Sequence, residues 1–174
     1  SNELLADAYN RIADCHFYNR SYANADKFYT LASATDKSNG DYALYRSAVT
    51  QGLSKDYQGK VKTLQRLIDG FPGSNYAEKA YYEMGRAYIE QEKYGDAVAI
   101  YEKLIKRYPE SSLSRRAAVE KAMVYNTTGE LDKAVKAYKE IIEKYPHSTE
   151  SQVAIQDLKN IYVEMGKVNE FAKY

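Results

Sequence analysis

Apolar residues recur along this chain with the period of an amphipathic α-helix. Four of them, spaced i, i+3, i+4 and i+7, share one helix face: Tyr81, Met84, Gly85 and Tyr88. A second stripe of the same kind runs from Ala97 to Tyr108, and Pro109 then disfavours helical geometry at Tyr108. The stretch from Ser74 to Pro109 is therefore predicted to fold as two helices joined by a tight turn.

The step that closes this helix pair occurs three times. Tyr108-Pro109-Glu110-Ser111 is matched by Phe71-Pro72-Gly73-Ser74 before it and by Tyr145-Pro146-His147-Ser148 after it, each 37 residues from the next. Repetition at this period is typical of a solenoid of stacked helical hairpins. The serine that ends each step is predicted to be the N-cap of the following helix.

The same pattern, with variations, extends over the whole chain. It predicts an all-α protein of about five helical hairpins that form one solenoid domain. The approximate limits of the hairpins are residues 3–37, 40–73, 74–110, 111–147 and 148–174. The stretch from Val168 to Tyr174 is predicted to be a shortened last helix. Because the chain begins with Ser1-Asn2 and not with Met, we predict that it is a fragment of a longer protein.

Composition argues against nucleic acid and membrane as partners of this chain. The chain has 25 Lys and Arg against 24 Asp and Glu, and these charges interleave without the basic stripe of a nucleic-acid-binding protein. No apolar run approaches the ~18 residues of a membrane helix, so membrane insertion by this chain is not expected. Cys15 has no second cysteine with which to form a disulfide or a cysteine zinc site, and we predict that it is a small buried hydrophobe.

Candidate catalytic residues are few. His16 follows Cys15 directly, and adjacent residues of a helix point about 100° apart, which is a poor arrangement for a catalytic pair. His147 falls in a loop between repeats. No phosphate-binding glycine loop, zinc-binding H-E-x-x-H or C-x-x-C motif occurs. The sequence therefore predicts no enzymatic activity, no cofactor and no metal.

The repeat resembles the tetratricopeptide repeat (TPR), whose signature is W-x2-L-G-x2-Y, then A-x3-F, then P. Here the signature reads Tyr81-x2-Met84-Gly85-x2-Tyr88, then Ala97-x3-Tyr101, then Pro109. Each substitution keeps the size and apolar character of the family residue. The resemblance implies a right-handed α-α superhelix in which the first helices of successive repeats line a concave groove.

Aligning the repeats on this signature predicts the residues that face the groove. They are Asn10, Asp14, Tyr42, Tyr45, Val49, Lys79, Tyr82, Arg86, Arg116, Val119, Met123, Gln156 and Asn160. Among them, Tyr42, Tyr45 and Tyr82 lie off the predicted packing stripe and would give the groove an aromatic centre, a composition found at binding hot spots. The Lys and Asn pairing with which chaperone-adaptor TPRs hold a peptide carboxylate is absent, so chaperone tails are not the expected ligand.

The favoured function is a non-catalytic scaffold that binds a segment of another protein, or another part of its own full-length chain, in this groove. The alternative is a structural spacer or self-assembly module that uses its outer wall or its ends. From about Gly40 to Tyr174, the units punctuated by Tyr-Pro-x-Ser are also similar to bacterial cell-envelope TPR proteins of the Tol–Pal-associated and outer-membrane assembly types. This similarity implies a periplasmic or envelope location.

Overall fold

The computed structural model describes residues Ser1–Ala172, and within that range the chain contains helices and turns but no strand. The helices are α1 (Asn2–Tyr18), α2 (Tyr22–Thr35), α3 (Asp41–Leu53), α4 (Tyr57–Gly70), α5 (Ala77–Glu90), α6 (Tyr94–Arg107), α7 (Ser112–Thr127), α8 (Leu131–Lys144), α9 (Thr149–Glu164) and α10 (Val168–Phe171). A short 3-10 turn, Lys37–Asn39, connects α2 to α3. The last two positions of the predicted shortened helix, 173 and 174, lie outside the described residues.

The helices pack into two compact units. The first unit, Ser1–Lys93, contains α1 to α5, and within it α1 packs on α2, α2 on α3, α3 on α4 and α4 on α5. The second unit begins at Tyr94 and contains α6 to α10, which pack in the same sequential way. This nearest-neighbour packing of helices is that of a helical repeat protein, so the predicted fold class is confirmed. The joining of all five hairpins into one domain stays a prediction.

Each first helix ends in a turn with one residue in the left-handed region. The residues are Arg20 (φ 60°), Lys55 (φ 61°), Glu92 (φ 56°), Gly129 (φ 78°) and Gly166 (φ 68°). In each turn two backbone bonds close the helix end. At Gly129, for example, the Gly129 amide donates to the Asn126 carbonyl at 3.1 Å and the Glu130 amide donates to the Tyr125 carbonyl at 2.9 Å. This Schellman arrangement produces the tight turn that the sequence predicted.

Alanine at Gly129 is expected to lower the free energy of unfolding by about 1–2 kcal/mol, the cost of a left-handed backbone for a residue with a side chain. An added methyl group would meet no atom within 4 Å, so the cost comes from the backbone alone. Gly95, inside α6, is the matched control: its methyl group would also meet nothing within 4 Å, but its φ is not positive. Alanine there should stabilise the chain by about 0.5–1 kcal/mol. Urea unfolding of both variants measures the difference, and equal effects would contradict this account.

The predicted N-caps were partly correct. Ser111 and Ser148 cap α7 and α9, since their hydroxyl oxygens accept hydrogen bonds from the amides of Leu113 and Ser151, both at 3.0 Å. The prediction was wrong for Ser74, because a turn intervenes before α5 begins at Ala77. The Ser74 hydroxyl instead accepts from the Tyr76 amide at 3.0 Å and donates to Asp41 at 2.6 Å.

A polar contact recurs where the second helix of one hairpin meets the first helix of the next. On the first helices it uses the charged position, which we define as residues 46, 83, 120 and 157, each 37 residues apart. The Tyr101 hydroxyl donates to Glu120, and the Tyr138 hydroxyl donates to Asp157 at 3.1 Å. Both tyrosine side chains are fully buried, so this contact gives each hydroxyl a hydrogen-bond partner within the core.

The residue at the charged position also has a polar partner in the hairpin that lacks the equivalent of Tyr101. Leu64 occupies the place of Tyr101 in the second hairpin, and there the Lys60 ammonium donates to Glu83 at 2.7 Å. In the first contact the position is occupied by Arg46, whose Nε donates to the Tyr29 hydroxyl at 3.3 Å. The pairing therefore differs from repeat to repeat although its place is constant.

Candidate functional site

In the first unit, the predicted groove residue Tyr42 belongs to a packed polar cluster. Its hydroxyl donates to the Asp14 carboxylate, with distances of 2.9 and 3.1 Å to the two oxygens. Its ring meets the rings of Tyr29 and Tyr76 edge-on, with centroids 6.4 and 6.0 Å away. Burial, followed by the hydrogen bond to Asp14, raises the pKa of Tyr42 to about 12. Tyr42 thus joins α1 to α3 and is not a loosely held surface tyrosine.

Asp14, also predicted to face the groove, is the acceptor at the centre of this cluster. The Tyr29 hydroxyl donates to it as well, and burial and this bond raise the pKa of Tyr29 well above its usual range. Arg46 completes the cluster, with its guanidinium carbon 4.1 Å from the centroid of the Phe17 ring. The carboxylate therefore links three helices, and its place in the groove stays a prediction.

Tyr45 and Tyr82 are also packed within the protein. The Tyr45 ring stacks on the Tyr76 ring, with 5.1 Å between centroids. Burial raises the pKa of Tyr45. Tyr82 is only 3 % exposed. The equivalent residue of the next repeat, Val119, is 9 % exposed, so this position is buried in both repeats. The prediction that these tyrosines lie off the packing stripe is therefore wrong for the buried Tyr82, while the place of the half-buried Tyr42 and Tyr45 in the groove stays a prediction.

The remaining predicted groove residues are more accessible. Asn10 and Val49 are half-buried. The exposed ones are Lys79, Arg86, Arg116, Met123, Gln156 and Asn160. Gln156 donates to Asn160 along α9 at 3.2 Å. The accessible part of the predicted set is thus polar and cationic, with Met123 as its large apolar member.

A cleft in the first unit is lined in part by two of the predicted groove residues, Val49 and Arg86. It has a volume of about 270 Å³ and is lined by Val49, Gly52, Leu53, Tyr57, Lys60, Glu83, Arg86, Ala87 and Glu90. Leu53 is 50 % exposed, and the Lys60–Glu83 ion pair is among the lining groups. The cleft is strongly polar, since charged side chains from α4 and α5 supply much of its wall.

A larger and more apolar cleft lies between α7 and α9 in the second unit. Its volume is about 460 Å³, and its lining is Arg116, Val119, Glu120, Met123, Thr149, Glu150 and Val153. Met123 and Val153 are 48 % and 40 % exposed. At one side Glu150 forms an ion pair with Arg115, with 3.8 Å between Nε and Oε2. The structure thus brings together the predicted Arg116, Val119 and Met123.

Sequence reasoning missed the α9 wall of this cleft, although a signal was present. Val153 follows Arg116 by 37 residues, so the repeat period assigns it to the same groove position. Thr149 and Glu150 belong to the first turn of α9 and have no such signal.

The adjacent residues His16 and Cys15 have different surroundings. The His16 ring stacks on Phe28 with centroids 5.5 Å apart, while Cys15 is exposed. The prediction of a buried Cys15 is therefore wrong, because α2 covers the opposite face of α1, at Ala13. Within the described part of the chain, no group of three or more His, Cys, Asp or Glu side chains could hold a metal ion. No helix there is both long and apolar enough to span a bilayer.

Comparison with sequence families matches two stretches of the chain. A tetratricopeptide repeat pattern fits residues 42–74, and a second one fits residues 82–149. Together these ranges cover more than half of the chain. The chain belongs to the tetratricopeptide repeat family. The resemblance inferred from the signature residues is thus confirmed, while a search of curated proteins found no match.

Several solved structures share the fold. MamA residues 41 to the end, from Desulfovibrio magneticus RS-1, superposes with a TM-score of 0.73 at 18 % identity, covering 97 % of this chain and 89 % of that one. Another MamA structure gives 0.75 at 22 % identity, with 98 % and 87 % coverage. YrrB, described as a TPR protein with an unusual peptide-binding site, gives 0.66 at 16 % identity, with 95 % and 80 % coverage. At these identities the similarity shows the fold alone.

Proposed function

We propose that this TPR protein is a non-catalytic scaffold that binds a peptide segment of another protein in the cleft between α7 and α9. The observation that carries the proposal is the exposure of Met123 and Val153 in one cleft whose walls are two first helices. TPR and other solenoid proteins use the extended surface of their stacked repeats for binding. The peptide-binding site named for YrrB supports the same class of ligand.

The lining of the cleft indicates the chemistry of the ligand. Methionine is flexible and polarisable, and it is enriched at protein interfaces together with arginine. An aliphatic side chain of the partner would insert beside Met123 and Val153, where it would bury apolar surface. The rim carries both signs of charge, from Arg116 and Glu150, so a strongly acidic or basic partner is not favoured. For a single short segment we expect a dissociation constant near micromolar, about −8 kcal/mol.

The first-unit cleft is proposed as a secondary contact that involves Val49 and Arg86, with Lys79 and Asn160 as flanking contacts on their own units. Tyr82 is excluded from this proposal because it is buried, and the assignment of Tyr42 and Tyr45 to the groove stays a prediction. A spacer or self-assembly role, and a location in the bacterial envelope, stay predictions.

Glutamate at Met123 or Val153 is expected to weaken peptide binding at least tenfold, because a carboxylate would be desolvated against the apolar anchor. The ligands would be aliphatic peptides selected from a display library on the wild-type chain, and fluorescence anisotropy would give their affinities. Both substituted side chains are exposed, so the variants should keep the wild-type melting temperature.

Val163→Glu is the matched control. Val163 also lies on α9 and is 54 % exposed, but it does not line the cleft. Methyl labelling of methionine adds a direct readout, because the chain has only three methionines. A bound peptide should shift the Met123 methyl signal and leave that of the buried Met84 unchanged. Equal losses of affinity for Val163→Glu and Val153→Glu, or an unmoved Met123 signal, would disprove the cleft as the site.

A further inference from the structure

The first helix presents an apolar face that the described structure leaves uncovered. Leu5, Ala8, Ile12 and Cys15 are spaced i, i+3, i+7 and i+10, so they share one side of α1. All four are exposed, with Leu5 at 46 % and Ile12 at 41 %. We call these four residues the open face of α1.

The same positions are covered in the other first helices. In α5 they are Ala77, Ala80, Met84 and Ala87, none more than 1 % exposed. In α9 they are Ser151, Ala154, Leu158 and Ile161, none more than 3 % exposed. The equivalents in α3 and α7 are Gly40, Ala43, Ser47, Thr50, Ser114, Ala117, Lys121 and Val124, and all but the half-buried Lys121 are buried. The open face is thus exposed, whereas the equivalent residues of the other first helices are buried or, for Lys121, half-buried.

The cover at these positions comes from the preceding second helix. α4 packs on α5, and α8 packs on α9. On α8, the residues Ala134, Tyr138 and Ile141 form one buried cluster with Ala154, Leu158 and Ile161 of α9. A second helix therefore covers this face with a stripe of small, aromatic and aliphatic side chains.

We propose that the open face of α1 is a docking site for an amphipathic helix that carries this small–aromatic–aliphatic stripe. The helix is contributed by a polypeptide segment outside these 174 residues, and it packs on α1 as α8 packs on α9. A solenoid end that faces water is normally polar. The open face is apolar, and Leu4 and Tyr18, 71 % and 90 % exposed, extend the apolar surface of α1.

The equivalent face of α9 indicates which helix would fit the open face, because the residues of the two faces are similar. Ala154 corresponds to Ala8, and Leu158 corresponds to Ile12. A helix with the sequence of α8 should therefore fit α1 with little change. The link from α8 to α9, residues 145–148, also fixes how the two helices are joined.

The first experiment joins a second copy of residues 131–148 ahead of Glu3, so that the copied helix can fold back on α1. Cys15 lies in the open face and is the sole cysteine of the chain, so a thiol reagent reports on this face alone. We expect the appended helix to slow modification of Cys15 at least tenfold and to raise the melting temperature. A control carrying Tyr138→Asp and Ile141→Asp in the appended copy should react as fast as the unextended chain. Equal reactivity of the extended chain and this control would overturn the proposal.

A second variant tests the face without depending on the appended helix being folded. Ile12→Asp in the unextended chain is expected to leave the melting temperature unchanged, because the side chain is exposed. In the extended chain the same substitution should restore rapid modification of Cys15. A large fall in the melting temperature of the unextended variant would show that Ile12 is a core residue, and would overturn the proposal.

Sedimentation of the unextended chain tests whether a second copy of the chain, and not a helix from elsewhere, occupies the open face. A monomer at all concentrations, with Cys15 equally reactive throughout, agrees with a helix supplied from elsewhere. If the chain dimerises and Cys15 becomes protected as concentration rises, the occupant is a second copy and the proposal is wrong. The Met123 signal reports on the peptide cleft independently, so neither result bears on the proposed function.

Discussion

Replacing Tyr138 with alanine is expected to lower the free energy of unfolding by about 3–5 kcal/mol, the usual cost of truncating a fully buried aromatic residue. The Tyr138 side chain is 0 % exposed and lies in a cluster with Leu158 and Tyr162. Its removal would leave a cavity on the α9 side of α8. It would also remove the hydroxyl that donates to Asp157 at 3.1 Å.

Phenylalanine at the same position separates the two contributions. The ring is kept and only the hydrogen bond is lost, so we expect a cost of about 1–2 kcal/mol for the charge-assisted bond. Urea unfolding, followed by a probe in the second unit, measures both variants. If alanine costs no more than phenylalanine, Tyr138 does not fill the core as described.

Replacing Lys60 with alanine is expected to cost about 2–3 kcal/mol, because it leaves the Glu83 carboxylate without its ion-pair partner. The side chains of Lys60 and Glu83 are 11 % and 23 % exposed, so the loss should fall below that of a fully buried pair. Gly52 makes room for the lysine, since a methyl group there would lie 3.0 Å from the Lys60 nitrogen.

A tyrosine at Leu64 should recover part of that loss. Tyr101 and Tyr138 stand at the equivalent place and donate to Glu120 and Asp157. The variant Lys60→Ala with Leu64→Tyr would therefore give Glu83 the hydroxyl donor that the other repeats use. We expect it to recover about 1–2 kcal/mol of unfolding free energy relative to Lys60→Ala alone. Leu64→Tyr in the presence of Lys60 is the control, and it should be destabilising because the site is already filled. Failure of the double variant to exceed Lys60→Ala would refute the equivalence of the two contacts.

The fold could be predicted from the sequence because its determinants are local and repeat. The spacing of Tyr81, Met84 and Tyr88 defines one helix face, and the aromatic-Pro step marks the end of each hairpin. Family matching confirmed the resemblance. The error at Ser74 arose because residues between the cap signal and the helix can form a turn of their own.

The candidate site was harder to predict because exposure depends on neighbouring repeats. The pattern within one repeat shows which residues face the partner helix of the same hairpin. It does not show that Tyr82 is buried or that the Tyr42 hydroxyl reaches Asp14, 28 residues earlier in the chain. Cys15 was misjudged for the converse reason. Its equivalents are buried by a preceding second helix, and no described helix precedes α1.

The varied partners at the charged position limit how this gene could grow by internal duplication. A tandem copy of residues 111–147 would place Tyr138 of one copy against Glu120 of the next, an acceptable donor and acceptor. A tandem copy of the second hairpin would instead place Lys60 against Arg46, and two cations at a half-buried contact repel each other. Arg46 therefore sets the second hairpin apart from the repeats that carry a carboxylate at this position, so that residues 111–147 could be copied in place more readily than the second hairpin.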